Sequence, residues 1–148
     1  MSWTTYLKRT VPPVVAAAVI GGIGTRPRSA WYLGLDKPSW QPPAWLFGPV
    51  WTGLYALTAA ATAKAMADAP TEAEALSIER QLWANMALNA GWCWLFFTAK
   101  QPKAALAEIL VLEASTLALA RRAPAVAPYA AWNGFATALN AAIVRRNP

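Results

Sequence analysis

The sequence predicts an all-α integral membrane protein, a bundle of five transmembrane helices with an ordered loop acting as a lid between the first and the second. Three observations predict it. Of 148 residues, 57% are apolar and only 14% charged, against about 25% charged in an ordinary soluble domain. The charges stand singly or in short pairs between five long charge-poor tracts. Nine tryptophans are present, a residue that collects where a helix leaves the bilayer.

A helix that crosses the hydrocarbon needs about 20 mostly apolar residues, and the chain is divided on that measure into one membrane domain over 1–148. The first helix is expected over 3–25, with Trp3 and Tyr6 in the interface; Pro12 and Pro13 should bend it or mark its true start. The second is expected over 44–66, because KPSWQPPAW cannot be helix interior, while Pro43 suits a helix start and Pro49 a kink. The third is placed at 79–99. The acidic run from Asp68 to Arg80 ahead of it reads as a surface loop, in which Thr71 and Glu74 offer a capping box. The fourth, 103–121, carries Glu108 and Glu113, each of which must be protonated, paired or turned inward. Five residues apart they diverge by about 140°, so they form no carboxylate pair. The fifth, 124–145, opens on Pro124 and Pro128. No removable signal peptide is expected, since the Gly-rich end of the first tract resembles helix packing.

Composition also excludes function classes. There is no histidine, and Cys93 is the single cysteine, so His-based acid/base chemistry, Ser-His-Asp triads, zinc sites of the usual kind and an internal disulfide are all ruled out. No metal site and no cofactor are expected. A net charge of +6 marks membrane boundaries here and not nucleic-acid binding. Counting Lys and Arg on alternate sides of five spans gives six against seven, which leaves the orientation open.

Helical spacing gathers rings and amides into stripes. On the second helix Phe47, Trp51, Tyr55, Thr58 and Thr62 share a face; on the third, Asn85, Asn89, Trp92 and Phe96; on the fifth, Trp132, Phe135, Ala136, Leu139 and Asn140. Asparagine in lipid needs a partner, so Asn89 and Asn140 are expected to point into the bundle, as glue between helices or as lining. Three aromatic faces that meet would enclose a mostly apolar cavity with sparse orienting groups. Cys93 falls about 40° from Asn89 on the third helix and would approach that cavity as a small hydrophobe. Ala84, Ala87 and Gly91 form a small-residue stripe on the back of the same helix, suited to a neighbouring helix or a second protomer. Ala17 to Gly22 offers a similar face. The stretch from Thr25 to Pro43, with Trp31, Tyr32, Leu33, Leu35 and Trp40 among three prolines, reads as an ordered lid.

Three blocks, WYLGLDKPSWQPPAWLFGPVWTGLY from Trp31, NAGWCWLFF from Asn89 and PYAAWNGFATALN from Pro128, together resemble the translocator protein family, also called the tryptophan-rich sensory protein or peripheral benzodiazepine receptor family. The resemblance covers essentially the whole chain. It implies a bacterial envelope membrane protein, commonly a homodimer, whose first loop closes over a cavity that binds porphyrins such as protoporphyrin IX and benzodiazepine-site ligands. Trp51, Asn89, Trp132, Ala136, Leu139 and Asn140 look like pocket positions of that family, and Trp31, Lys37-Pro38 and Pro42-Pro43 resemble its lid motif. Trp51 and Trp132 also resemble the indoles implicated in light-dependent porphyrin degradation by some members. Two departures stand out. LNAAIVR, from Leu139 to Arg145, lacks the Tyr of a sterol-recognition pattern, and Asp36 stands where an uncharged amide is commoner.

The expected ligand site therefore comprises Trp31, Trp40, Phe47, Trp51, Tyr55, Asn89, Trp92, Phe96, Trp132, Phe135, Ala136, Leu139 and Asn140, with Arg26, Arg28 and Lys37 as candidates to meet carboxylates at the mouth. A receptor or sensor for tetrapyrroles leads. An enzyme that degrades porphyrin through Trp51 and Trp132, and a transporter of small amphipathic molecules using Glu108 or Glu113, are the alternatives.

Overall fold

The computed structural model describes residues 2–148. A 3-10 turn, Trp3–Tyr6, leads into α1 (Leu7–Gly24). After it come α2 (Ala30–Leu33), α3 (Ala44–Asp68), α4 (Glu72–Cys93), α5 (Pro102–Arg122) and α6 (Ala127–Arg146). Among the described residues there are six α-helices where five were expected, because the lid itself contains a one-turn helix, α2. Ser29 starts it by accepting a hydrogen bond from the Tyr32 amide at 3.2 Å, and Gly34 ends it.

The other boundaries follow local chemistry. Pro12 and Pro13 lie inside α1 and do not mark its start. The acidic run is helix, not loop: α4 begins at Glu72 and not at 79, with the Thr71 hydroxyl capping the Glu74 amide at 3.2 Å. A second support of that early turn lies outside its own sequence. Arg9 of α1 reaches Glu72 at 2.7 Å and Glu79 at 3.0 Å, so the carboxylates that look like loop are tied to another helix. At its far end α4 widens into a π-turn, Trp94–Thr98, and Lys100 reverses the chain in the left-handed region at φ 57°. Ahead of α6, Pro124–Val126 form a 3-10 turn.

Among the described residues no helix is long and apolar enough to cross a membrane. The side chains of these helices are sorted with polar groups inward and aliphatic groups outward. Thr58, Thr62, Asn85, Asn89, Thr116, Asn133 and Asn140 are all buried, whereas Val15, Val19, Ile20, Ile23, Leu110, Val111 and Leu117 are exposed.

Helix α4 packs against α1, α3 and α5, and α5 packs against α6. The half of the bundle away from the lid is a dry core in which Met66, Ile78, Leu82, Met86, Leu119, Val126 and Tyr129 interlock. The Tyr129 hydroxyl donates to Asn85 at 2.8 Å and accepts from Asn89 at 3.0 Å; Asn85 donates in turn to Thr116 at 2.9 Å, and so does Asn133 at 3.0 Å. These bonds join α4, α5 and α6 through otherwise costly buried amides. Nearer the lid a second cluster of Phe96, Phe97, Ala105 and Ile143 supports Trp31, Tyr32 and Leu35.

Close approach of α1 to α4 depends on glycine. A Cβ on Gly24 would stand 2.7 Å from the Trp94 ring, whose indole donates to the Ile20 carbonyl at 2.9 Å. Gly24→Ala is expected to lower stability by about 1–3 kcal/mol, read from denaturant unfolding in micelles. Gly22→Ala, where a Cβ meets nothing within 4 Å, should be neutral or slightly stabilising.

Candidate functional site

Beneath the lid the helices part to leave a partly open cavity of about 490 Å³. Its α3 wall is the predicted stripe of Phe47, Trp51 and Tyr55; α4 contributes Asn89, Trp92 and Phe96; α6 contributes Trp132, Phe135, Ala136, Leu139 and Asn140. The stripes converge because α3 and α6 meet through rings and not through small residues. Trp132 takes Phe47 edge-on at 5.8 Å and Trp51 at 6.3 Å and 90°, and leans against Phe135 at 5.4 Å. Across the cavity Trp92 stacks on Phe96 at 5.1 Å and 25°.

The amides serve as glue and lining at once. Asn89 accepts from the Tyr55 hydroxyl at 2.9 Å while donating to Tyr129. Asn140 accepts from the Trp92 indole at 2.9 Å and donates to the Pro102 carbonyl at 3.0 Å, which fixes the plane of that indole. Asn133 also lines the cavity, and its carbonyl oxygen is buried without a hydrogen-bond partner.

Two of the predicted lining residues do not reach the wall. Trp31 stands behind it, edge-on to Phe96 at 5.7 Å, and Trp40 lies over Phe135 at 5.7 Å while remaining 48% exposed. Both act through the ring they cover. The lid reaches the cavity through Tyr32 instead, which packs on Phe97 at 5.0 Å and accepts a hydrogen bond from Gln41 at 3.0 Å. Burial pushes the Tyr32 phenol above its ordinary value, against the pull of the Gln41 bond, so it is an uncharged wall group.

Arg26 and Arg28 are exposed and do not line the cavity, and the Lys37 ammonium sits over the Tyr32 ring at 4.5 Å. Asp36 pairs with Arg146 at 3.6 Å. The Asn147 side chain accepts from the Asp36 amide at 3.0 Å and donates to its carbonyl at 2.9 Å. Asn147 thus latches the lid to the end of α6 through the Asp36 main chain, and the Asp36 carboxylate, a departure in the sequence, adds only an exposed ion pair.

Sequence reasoning missed the α1 wall of Ala18, Gly21 and Gly22 and the floor supplied by Ile109 and Leu112 of α5. The α1 residues carry no ring or amide, and their small face reads as packing. Cys93 is on the wall, as its angle to Asn89 suggested. Glu108 and Glu113 are turned inward but not into the cavity: their carboxyl oxygens lie 3.1 and 3.0 Å from where a Cβ would stand on Gly91 and Gly134.

The TspO/MBR family model matches residues 10–146. The chain belongs to the TspO/MBR family. A tryptophan-rich protein TspO from Chlorobaculum tepidum is 39% identical over 132 aligned positions, covering 83% of each chain. The translocator protein of Homo sapiens is 33% identical, covering 98% of this chain and 91% of its own. A tryptophan-rich sensory protein from Cereibacter sphaeroides is 32% identical, covering 99% and 94%. In this TspO/MBR chain the three blocks that carried the resemblance supply the lid and the ring-bearing walls of the cavity.

Proposed function

We propose that this TspO/MBR protein is a membrane receptor or sensor that binds porphyrins of the protoporphyrin IX type, and benzodiazepine-site ligands, in the cavity beneath its lid. One observation carries the reading: indoles and phenyl rings from three helices surround a single cavity of about 490 Å³, the size and character of a small-molecule site. A tetrapyrrole is a flat apolar disc with carboxylates on its edge, and it suits ring faces and edges inside with few polar contacts. The word "sensory" in the name of the Cereibacter sphaeroides relative supports the same assignment. Titrating protoporphyrin IX into the protein in lipid nanodiscs should quench tryptophan fluorescence to a saturating plateau; quenching that rises linearly without a plateau sinks the reading.

The five long helices are read as the spans, in a bacterial envelope membrane. At about 1.5 Å per residue, the 18 to 25 residues of α1 and α3 to α6 match or approach the roughly 30 Å hydrocarbon thickness. The buried amides of Asn85, Asn89 and Asn140 and the hydroxyls of Thr10, Thr62 and Thr116 are hydrogen-bonded inside the bundle, which lowers the cost that an average over the sequence assigns to them, while the Glu108 carboxyl oxygens and one of Glu113 are buried without a partner. The exposed aliphatic face of α1, Val11, Val15, Val19 and Ile23, then meets lipid.

A homodimer through α4 belongs to the same proposal. Ala84 and Ala87 are exposed, a shallow surface that a second copy would approach closely, whereas Gly91, whose Cβ position faces Glu108, packs within the chain. Ala87→Trp is expected to convert dimer to monomer in size-exclusion light scattering in detergent; a dimer that survives removes α4 from the interface. Porphyrin breakdown through Trp51 and Trp132 is a second reading, favoured by the contact of the two indoles on the cavity wall at 6.3 Å.

A further inference from the structure

Helices α1 and α3 touch over only part of their length. Away from the lid they are fastened: the Thr10 hydroxyl donates to the Ala59 carbonyl at 2.8 Å, and Val14, Ala17 and Leu54 share one buried cluster. Toward the lid each turns to a different neighbour. Upper α1 lies on α4, where a Cβ on Gly21 would meet Cys93 Sγ at 3.4 Å and Ala90 Cα at 3.5 Å, and where Thr98 donates to the Gly24 carbonyl at 2.8 Å. Upper α3 lies on α6 through Phe47 and Trp51. The two helices therefore splay, and the cavity extends into the cleft.

Small residues line that cleft: Ala18 and Gly22 on one side, Ala44 and Gly48 on the other. Gly22, Ala44 and Gly48 are exposed while lining the cavity. A Cβ on Gly22 or Gly48 would meet nothing within 4 Å. No side chain from these positions closes the opening. Its rim is apolar, with Val19, Ile23 and Trp45 exposed by 55%, 62% and 72%, a surface that suits hydrocarbon and not water. The lid, by contrast, is fastened by Asn147 to Asp36 and by Tyr32 and Trp40 on rings of the bundle.

We infer that the cleft between upper α1 and upper α3 is a lateral portal, through which a planar apolar ligand dissolved in the bilayer enters the cavity while the lid stays latched. The inference rests on the reading of the protein as a membrane receptor with this cavity as its site. It narrows the ligand class to molecules that partition into lipid, and it makes Gly22 and Gly48 determinants of entry.

The test mixes protein nanodiscs with vesicles loaded with protoporphyrin IX and follows tryptophan quenching by stopped flow. Gly22→Phe with Gly48→Phe puts two rings into the cleft. Gly53→Phe places the same ring at an exposed glycine of α3 that does not line the cavity and has nothing within 4 Å. Asn147→Ala releases the latch. Lateral entry predicts that the cleft variant both associates and dissociates about tenfold more slowly, since a blocked doorway retards both directions whereas a ring that only fills the cavity speeds release, and that Gly53→Phe and Asn147→Ala keep the wild-type rates. A cleft variant as fast as wild type, or an Asn147→Ala variant several times faster, overturns the portal and assigns entry to the lid. If the double variant does not fold, Gly48→Phe alone carries the same comparison. Absence of saturable quenching in the wild type would instead remove the binding reading on which the portal depends.

Discussion

Replacing Trp51 and Trp132 together by leucine is expected to weaken protoporphyrin IX binding by about 30-fold to 1000-fold, the equivalent of roughly 2–4 kcal/mol. The two indoles stand perpendicular with centroids 6.3 Å apart, and both line the cavity. Leucine keeps the site apolar but removes the flat faces and edges against which a macrocycle packs. Phe47 and Phe135, each within 6 Å of the Trp132 ring, lose the partner that orients them. Trp92, still held on Asn140 at 2.9 Å, remains as the fluorescent reporter on the opposite wall. Fluorescence titration in nanodiscs measures the loss, and an unchanged affinity would remove the assignment of the pocket. The same variant judges the enzymatic reading: under illumination, porphyrin that bleaches as fast as with wild type leaves no role for the indoles in breakdown.

Asn85→Ala should cost roughly 2–3 kcal/mol of stability, read from unfolding in mixed micelles. Asn85 is fully buried. Its carbonyl oxygen accepts from the Tyr129 hydroxyl at 2.8 Å, and its amide donates to Thr116 at 2.9 Å and Ser115 at 3.2 Å. Truncation leaves a phenol without its acceptor in the dry half of the bundle and opens a void between α4 and α5. Since Tyr129 also accepts from Asn89, and Asn89 from Tyr55, the disturbance reaches the cavity wall, and ligand affinity should fall with stability. Ser115→Ala removes only the longest bond of the group and is expected to cost less than about 1 kcal/mol. Equal losses in the two variants would show that Asn85 contributes no more than a single weak contact.

Most of the wall was legible in the sequence because rings and amides declare themselves by type and spacing. Phe47, Trp51 and Tyr55, or Trp132, Phe135 and Leu139, fall on one face of any α-helix, and a face of that kind cannot be left to water. The α1 wall was not legible, since Ala18, Gly21 and Gly22 look the same whether they pack against a helix or border a cavity. Trp31 and Trp40 misled for the opposite reason: an aromatic residue in a lid announces that it covers something, but not whether it touches the ligand space or the ring in front of it. The start of α4 was misplaced because the acidic run was weighed as polar surface, although the Thr71 cap marks the start locally. Arg9, more than 60 residues earlier in the chain, adds the tertiary support that no local pattern shows.

By itself, then, the sequence determined the helical architecture, the lid, the three ring-bearing faces and the family, because each is set by periodicity and residue chemistry within a short stretch of chain. Tertiary structure alone decided that those faces enclose one cavity, that Asn147 latches the lid through the Asp36 main chain, and that α1 and α3 lean on different neighbours beside it. The reason is physical: which neighbour a helix leans on depends on the match of small and large side chains across an interface, here Gly21 and Gly24 against α4 and Phe47 and Trp51 against α6. No single helix encodes its partner's half of that match.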